Sequence, residues 1–363
     1  MMKKLLFLIT LLGLFWSCKP ESPTVYTHVV PANATELALV RLDALVEKAG
    51  WKEEANQAAL LPLLNLLLEG EPRVQEEVTR WLKEPAATGI DWQSPLLLFQ
   101  APGLRATALA LRISDLPKWE SVVDALVQAE LLSSPEKGKA GRRTTLADGS
   151  IGLFYNDGTL LLLYADSPSQ WPSLYVKADE LLSQREEQSI CRHPHYEALT
   201  RQAGDISLLA TTESLPFDLR GILKHPAGTQ LLGRILFTEG GMEAEVRQAG
   251  FEGESGESSQ PFRPSNSLEL LGALQHVMNG RPFHLELGRE ELLTVSNVGV
   301  LMEYAPDDPQ LKLLVDLIEQ VESLTLRGDS RCTRFVLRLQ DQRQNALKQL
   351  VGFAQQHLSH FFE

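Results

Sequence analysis

Residues 142–165 read RRTTLADGSIGLFYNDGTLLLLYA. Two turn signals punctuate the stretch, Ala147-Asp148-Gly149 and Asn156-Asp157-Gly158. Asp and Asn before Gly accept the left-handed backbone that tight hairpins need. The three segments around them, roughly 142–146, 150–155 and 159–165, have strand lengths. An antiparallel meander is predicted, and the fold class follows from its flanks.

Upstream, strands are expected at 96–100 and 105–113, joined at Pro102-Gly103. Asp115-Leu116-Pro117 then opens a helix, with Asp115 as cap and Trp119, Val122, Val123, Leu126 and Val127 as its apolar stripe. Further upstream, Glu36–Leu42 reads as a strand and Asp43 caps a helix that stops at Gly50. Residues 53–84 hold only helical periodicity. Downstream come a helix at about 168–187, a short helix in 193–202, a strand at 205–211 and a hairpin, 229–237 with 242–248, around Gly240-Gly241. In the last hundred residues, 282–287 and 292–300 read as a hairpin, and Asp308-Pro309 opens a helix to about Gln320. A second hairpin, 322–327 with 331–339, turns at Gly328-Asp329, and 345–362 closes the chain as a helix. The class is α+β: antiparallel hairpins and meanders with helices packed on the sheet faces.

The order hairpin, helix, strands, helix occurs at about 95–187 and again at 282–363, which suggests an internal duplication. Without gaps, Asp115, Pro117 and Gln128 meet Asp307, Pro309 and Gln320, each pair 192 residues apart. Residues 95–132 are therefore expected to superpose on 287–324, with Asp115 and Asp307 both as caps and Trp119 and Leu311 both in the core.

At the start of the chain, Lys3 and Lys4 precede an apolar run from Leu5 to Trp16, followed by Ser17 and Cys18. Charge, apolar run and small residue in that order make a secretory signal, 1–17. The run is shorter than the roughly 20 residues of a membrane-spanning helix. Phe15-Trp16-Ser17-Cys18 resembles the lipobox of bacterial lipoproteins, although Phe15 and Trp16 depart from its usual residues. Lipidation at Cys18 is expected, and residues 18–25 then form a lipidated tether that holds the chain at a membrane. Lys19 carries no acidic retention signal, which favours the outer membrane over the inner; which side the chain faces is not legible.

The chain carries a net charge of −13, which becomes −15 once Lys3 and Lys4 leave with the signal. Such an acidic chain repels nucleic acid and anionic lipid at long range, and nucleic-acid binding is rejected as its main role. Hydrophobic residues make up 44 % of the chain, enough for a sizeable core. Residues 26–249 and 268–363 are expected to form two α+β regions separated by 250–267, a polar linker or mobile loop with two prolines. Cys191 and Cys332 could form one disulfide or remain two buried thiols; the thiols are favoured.

Residues 26–50, YTHVVPANATELALVRLDALVEKAG, resemble the DUF4836 family of Bacteroidetes lipoproteins, which is functionally uncharacterised. The resemblance is carried by the Val-Val-Pro-Ala-Asn-Ala phrase, the strand after it and the Leu-x-x-Lys-x-Gly helix end. It implies an envelope location and alternating hairpins and helices, and it carries over no catalytic residue.

The chain has no phosphate-binding glycine loop, no His-Glu-x-x-His zinc helix and no Gly-x-Ser-x-Gly elbow. Cys191-Arg192-His193-Pro194-His195 is the densest set of soft ligands, but it lacks further ligands in a rigid frame. His357 and His360 read as a solvated helix end. Asp307-Asp308 and Glu290-Glu291 fall at turns or caps. No metal and no cofactor are therefore expected. Arg327, Arg331, Arg334 and Arg338 crowd one hairpin; Arg334 and Arg338 share a strand face with Cys332 and Val336 and could bind an anionic group. Pairing with acids is the bland account of those arginines. The leading functional reading is a non-enzymatic envelope lipoprotein that binds or scaffolds an envelope protein or glycan. The alternatives are a glycan- or peptide-binding module using a cleft between duplicated halves, and a hydrolase whose residues meet only in the fold.

Overall fold

The structure, a computed structural model, describes residues 25–51, 53, 80–81, 84–104, 107–214, 226–251, 260–278, 281–296 and 309–358. Signal, Cys18, most of the tether, most of 53–84, residues 252–259, Val300, Asp307 and His360 lie outside them, as do the side chains of Leu311 and His357.

Among the described residues, thirteen strands form one antiparallel sheet. The first half holds β1 (Glu36–Val40), β2 (Leu96–Gln100), β3 (Ala108–Arg112), β4 (Glu136–Lys137), β5 (Arg142–Thr145), β6 (Ile151–Tyr155) and β7 (Thr159–Tyr164). The second holds β8 (Ile206–Thr211), β9 (Gln230–Thr238), β10 (Gly241–Gln248), β11 (Phe283–Gly288), β12 (Val321–Gly328) and β13 (Cys332–Leu339). The helices are α1 (Leu42–Lys48), α2 (Leu116–Gln128), α3 (Trp171–Leu182), α4 (Tyr196–Thr200), α5 (Ser267–Met278), α6 (Arg289–Val295), α7 (Pro309–Glu319) and α8 (Ala346–Leu358).

The predicted meander is β5–β6–β7. At its first turn Asp148 Oδ1 accepts from the Ser150 N–H at 2.9 Å, and Gly149 takes φ +70°. At the second, Asn156 Oδ1 accepts from the N–H groups of Gly158 and Thr159. These side-chain bonds stand in for backbone ones, which is why Asx residues mark such turns. Asp115 caps α2 by accepting from the Lys118 N–H at 3.2 Å.

The strands run β11-β12-β13-β10-β9-β8-β1-β2-β3-β7-β6-β5-β4 across the sheet. Outward from the central β1–β8 pair, each half lays down three consecutive strands, then a later strand (β7 or β13) beside the third. The repeat in strand order thus relates roughly 36–182 to 206–358. The gapless 192-residue correspondence does not hold strand on strand, because it sets β2 over 288–292, and 289–295 is helix α6. The expected hairpin of 282–287 with 292–300 is corrected with it: β11 pairs with β12, and Leu292 is helical. The apolar run there is too short for periodicity to separate strand from helix. Leu292 instead packs with Phe237, Leu337, Leu339 and Ala346. The regions 26–249 and 268–363 share the sheet, since β10 pairs with β13.

In the first half both sheet faces are covered. Tyr26, Val29, Trp171, Ala178, Leu181 and Leu199 pack on the face bearing Leu39, Leu97 and Phe154. The ring of Trp171 lies so close over Gly152 that a Cβ there would approach it to 2.6 Å. On the opposite face, Trp119, Val122 and Val123 of α2 cover Leu153, Tyr155 and Leu160. Cys191 and Cys332 are not joined by a disulfide.

Candidate functional site

Strict cross-strand register lets one row be followed through the whole sheet. Starting from β11 it reads His284, Arg327, Arg334, Glu245, Arg234, Ser207, Leu39, Leu97, Ala110, Leu161, Phe154, Arg143 and Glu136. Directly opposed residues share a face. The face that is apolar core in the first half is therefore a polar surface in the second. Among its strand residues in β9 to β13, only Leu232 joins an apolar cluster.

That surface carries five arginines (234, 247, 327, 334 and 338) against three glutamates (243, 245 and 286). The excess is positive, although the chain as a whole is at −13. Arg234 pairs with Glu245 at 3.2 Å and Arg263 with Glu286 at 2.8 Å. The Nη2 of Arg334 donates to Glu243 at 2.6 Å, whereas its Nε is buried without a partner. Arg327 stands directly opposite Arg334. Among the described residues, half-buried Arg327 and exposed Arg338 make no ion pair. Like charges directly opposed on neighbouring strands destabilise a sheet by some tenths of a kcal/mol up to about 1.

Arg334 and Arg338 thus lie on one strand face with Cys332 and Val336, as the period of two in β13 implies. Arg331 leaves that face, pairing with Asp329 and stacking over the ring of Phe251 at 4.6 Å. The sequence does not single out His284, because 282–287 reads there as the partner of 292–300.

The Cys191–His195 segment is held together internally. Cys191 Sγ lies 3.3 Å from Thr27 Oγ1. His193 Nδ1 accepts from the His195 N–H at 3.3 Å, and its Nε2 lies 3.1 Å from the Gln230 amide. The Gln230 atom that faces the ring Nε2 is the amide Nε2, itself a donor. Both ring nitrogens are engaged, so a metal would have to displace a bond. Burial first, and then the proximity of His195, lower the His193 pKa. Burial, helped by Cys191 and opposed by a Thr27 hydrogen bond, pushes Tyr196 up to about 12. Among the described residues no three His, Cys, Asp or Glu side chains converge as metal ligands.

A cleft of about 230 Å³ opens where β7 leads into α3, lined by Leu104, Tyr164, Asp166, Ser169 and Ser173 among others. Much of its polar equipment is used locally: Gln170 Oε1 accepts from the Asp166 N–H, Ser173 Oγ donates to the Gln170 carbonyl, and Ser169 Oγ bonds Ser167.

No helix of the described residues is long and apolar enough to cross a membrane. No curated protein matches the chain. Two crystal forms of TP0453, III and I, align over 93 % of this chain with a TM-score of 0.38. Their identities are 8 % and 7 %, over 100 % and 99 % of their own chains. The DUF4836 family, a domain of unknown function, matches residues 26–221, more than half of the sequence. The chain belongs to the DUF4836 family.

Proposed function

We propose that this protein is a non-enzymatic lipoprotein of the cell envelope, tethered through Cys18 to the outer membrane, that binds an envelope glycan or protein on the open face of its second half. The observation that carries the binding reading is the charged end of the thirteen-strand row, where Arg327, Arg334 and Arg338 face solvent or half-burial on rigid strands. Sites on regular elements hold geometry better than sites on loops. A cleft between the halves plays no part in the proposal: the halves meet at the β1–β8 ladder, where Leu37 faces Leu209 and Ala38 faces Leu208 in continuous register. We read the repeated strand order about that ladder as an internal duplication of 36–182 and 206–358, in place of the 95–187 and 282–363 repeat.

Two measurements test this. Cys18→Ala should abolish lipid labelling and release the chain from membranes; retention in the washed membrane pellet overturns the tether. Glycan and peptide arrays should be probed with the full-length protein and with Arg338→Glu. Binding lost in the variant supports the open face, whereas binding indifferent to Arg338→Glu, or turnover of an arrayed compound, overturns it.

A further inference from the structure

We propose that the opposed pair Arg327 and Arg334, flanked by His284, is a binding site for a phosphate group. The inference rests on the reading that this face binds, and it adds the chemistry of what is bound. Two arginines directly opposed across β12 and β13 repel each other while the site is empty. A strand pair gains nothing from that arrangement, because a Thr or Gln at either position would satisfy the same half-exposed surface without the repulsion. An oxyanion between the two forks turns the repulsion into charge-assisted, bidentate hydrogen bonds.

The donors available fit phosphate. Glu243 occupies one amine of Arg334 and so fixes its side chain, leaving the buried, unpartnered Nε and the other amine. The guanidinium of Arg327 makes no ion pair among the described residues. His284 sits directly opposite Arg327 on its other side, so the row of polar side chains runs over three adjacent strands. A phosphate monoester offers three terminal oxygens to a pair of opposed arginines, whereas a carboxylate offers two. Glu245 and Glu286 bound the site, and each is already matched by an arginine, Arg234 and Arg263. Among the described residues the positive charge of Arg327 is therefore left over, on a chain whose net charge is negative.

Arg338 lies four residues farther along β13, about 13 Å away at the rise of a strand. It is too far to share one phosphate. It is within reach of a larger molecule whose phosphate sits at Arg327 and Arg334. Both a phosphorylated glycan and a lipid headgroup present this chemistry.

The experiment titrates the full-length protein in uncharged detergent with inorganic phosphate, glucuronate and a hexose phosphate, and measures its partition onto phosphatidylcholine vesicles with and without phosphatidic acid. Inorganic phosphate should bind one per chain, raise the thermal midpoint and lose affinity by about tenfold or more in Arg327→Gln. Arg327→Gln itself should fold at least as well as the parent, so lost binding is not lost structure. Arg338→Gln should leave inorganic phosphate unchanged and weaken the larger ligand. Tighter binding of the hexose phosphate identifies a glycan source, and phosphatidic-acid-dependent partition identifies a headgroup. The inference is overturned if inorganic phosphate fails to bind, if it binds Arg327→Gln equally well, or if glucuronate binds more tightly. Failure of these arms, with array binding still dependent on Arg338, removes the phosphate assignment and leaves the binding face standing.

Discussion

Leu39, Leu97, Ala110, Leu161 and Phe154 in one half of the sheet, and Arg234, Glu245, Arg334, Arg327 and His284 in the other, occupy one cross-strand row on one face. The first set is buried under Tyr26, α3 and α4. The second is a surface of ion pairs and of arginines that make none among the described residues. The changeover falls at Ser207, which is buried although polar. In the second half the apolar residues of the same strands point the other way, where Phe237, Leu337 and Leu339 meet Leu292 and Ala346. One continuous hydrogen-bonded sheet can therefore have its core on both faces at one end and on one face at the other. The ladder constrains the backbone, and the side chains alone decide which face loses its water.

The comparison can be broken most severely at its apolar end. Leu161 is fully buried, and Leu161→Asp places an unpaired carboxylate in the core. A loss of more than about 4 kcal/mol is expected, read as a collapse of the urea midpoint or an insoluble chain. Near-normal stability would mean that this face is not core.

The boundary between the halves comes next. Asp205 receives Lys48 Nζ at 2.8 and 2.7 Å and the Phe237 N–H at 2.7 Å, with its side chain 2 % exposed. Asp205→Ala strands a partly buried ammonium and should cost about 3–5 kcal/mol. Equilibrium unfolding followed separately at Trp119 and at an introduced probe on β13 would show whether the halves then uncouple.

At the charged end the sign reverses. Arg327→Leu removes the like-charge opposition with Arg334 and should leave stability unchanged or raise it by up to about 1 kcal/mol. A clear loss would show that Arg327 is a structural cation and not a spare one.

The smallest effect concerns His193, which joins the chain before α4 to Gln230 of β9. Its pKa is lowered in the folded state by burial. Above the ordinary histidine value, about 6.5, both states are neutral and its contribution to stability is intact. As pH falls through that value toward the lowered folded one, the unfolded chain takes up the proton first and stability declines. Denaturant midpoints at about pH 8 and about pH 5 should therefore differ less for His193→Gln than for the parent.

Much of the contrast was already legible in local patterning. β7 reads Thr-Leu-Leu-Leu-Leu-Tyr, a continuous apolar run that suits burial on both faces, whereas β12 and β13 alternate polar and apolar residues, which suits one wet face. The same period of two put Arg334 and Arg338 together before any partner strand was known. The Asx turns around Asp148 and Asn156 and the cap at Asp115 were equally local, since each is settled by bonds spanning two or three residues. The helix at 289–295 was not, because its apolar run is short and its Leu292 is claimed by Phe237 and Leu337 from other parts of the chain.

Sequence alone therefore determined the turns, the cap at Asp115, most strands and the face of β13 that Arg334 and Arg338 share. Only the tertiary structure decided that β12 takes β11 as its second neighbour and that the wet sides of five strands align. That alignment sets His284, Arg327 and Arg334 in one row. The physical reason is range. Turns, caps and alternation are written in contacts between near neighbours in the chain, whereas the row is made by pairing strands as far apart in sequence as Glu243 and Val336, whose register is set by burial of the opposite face.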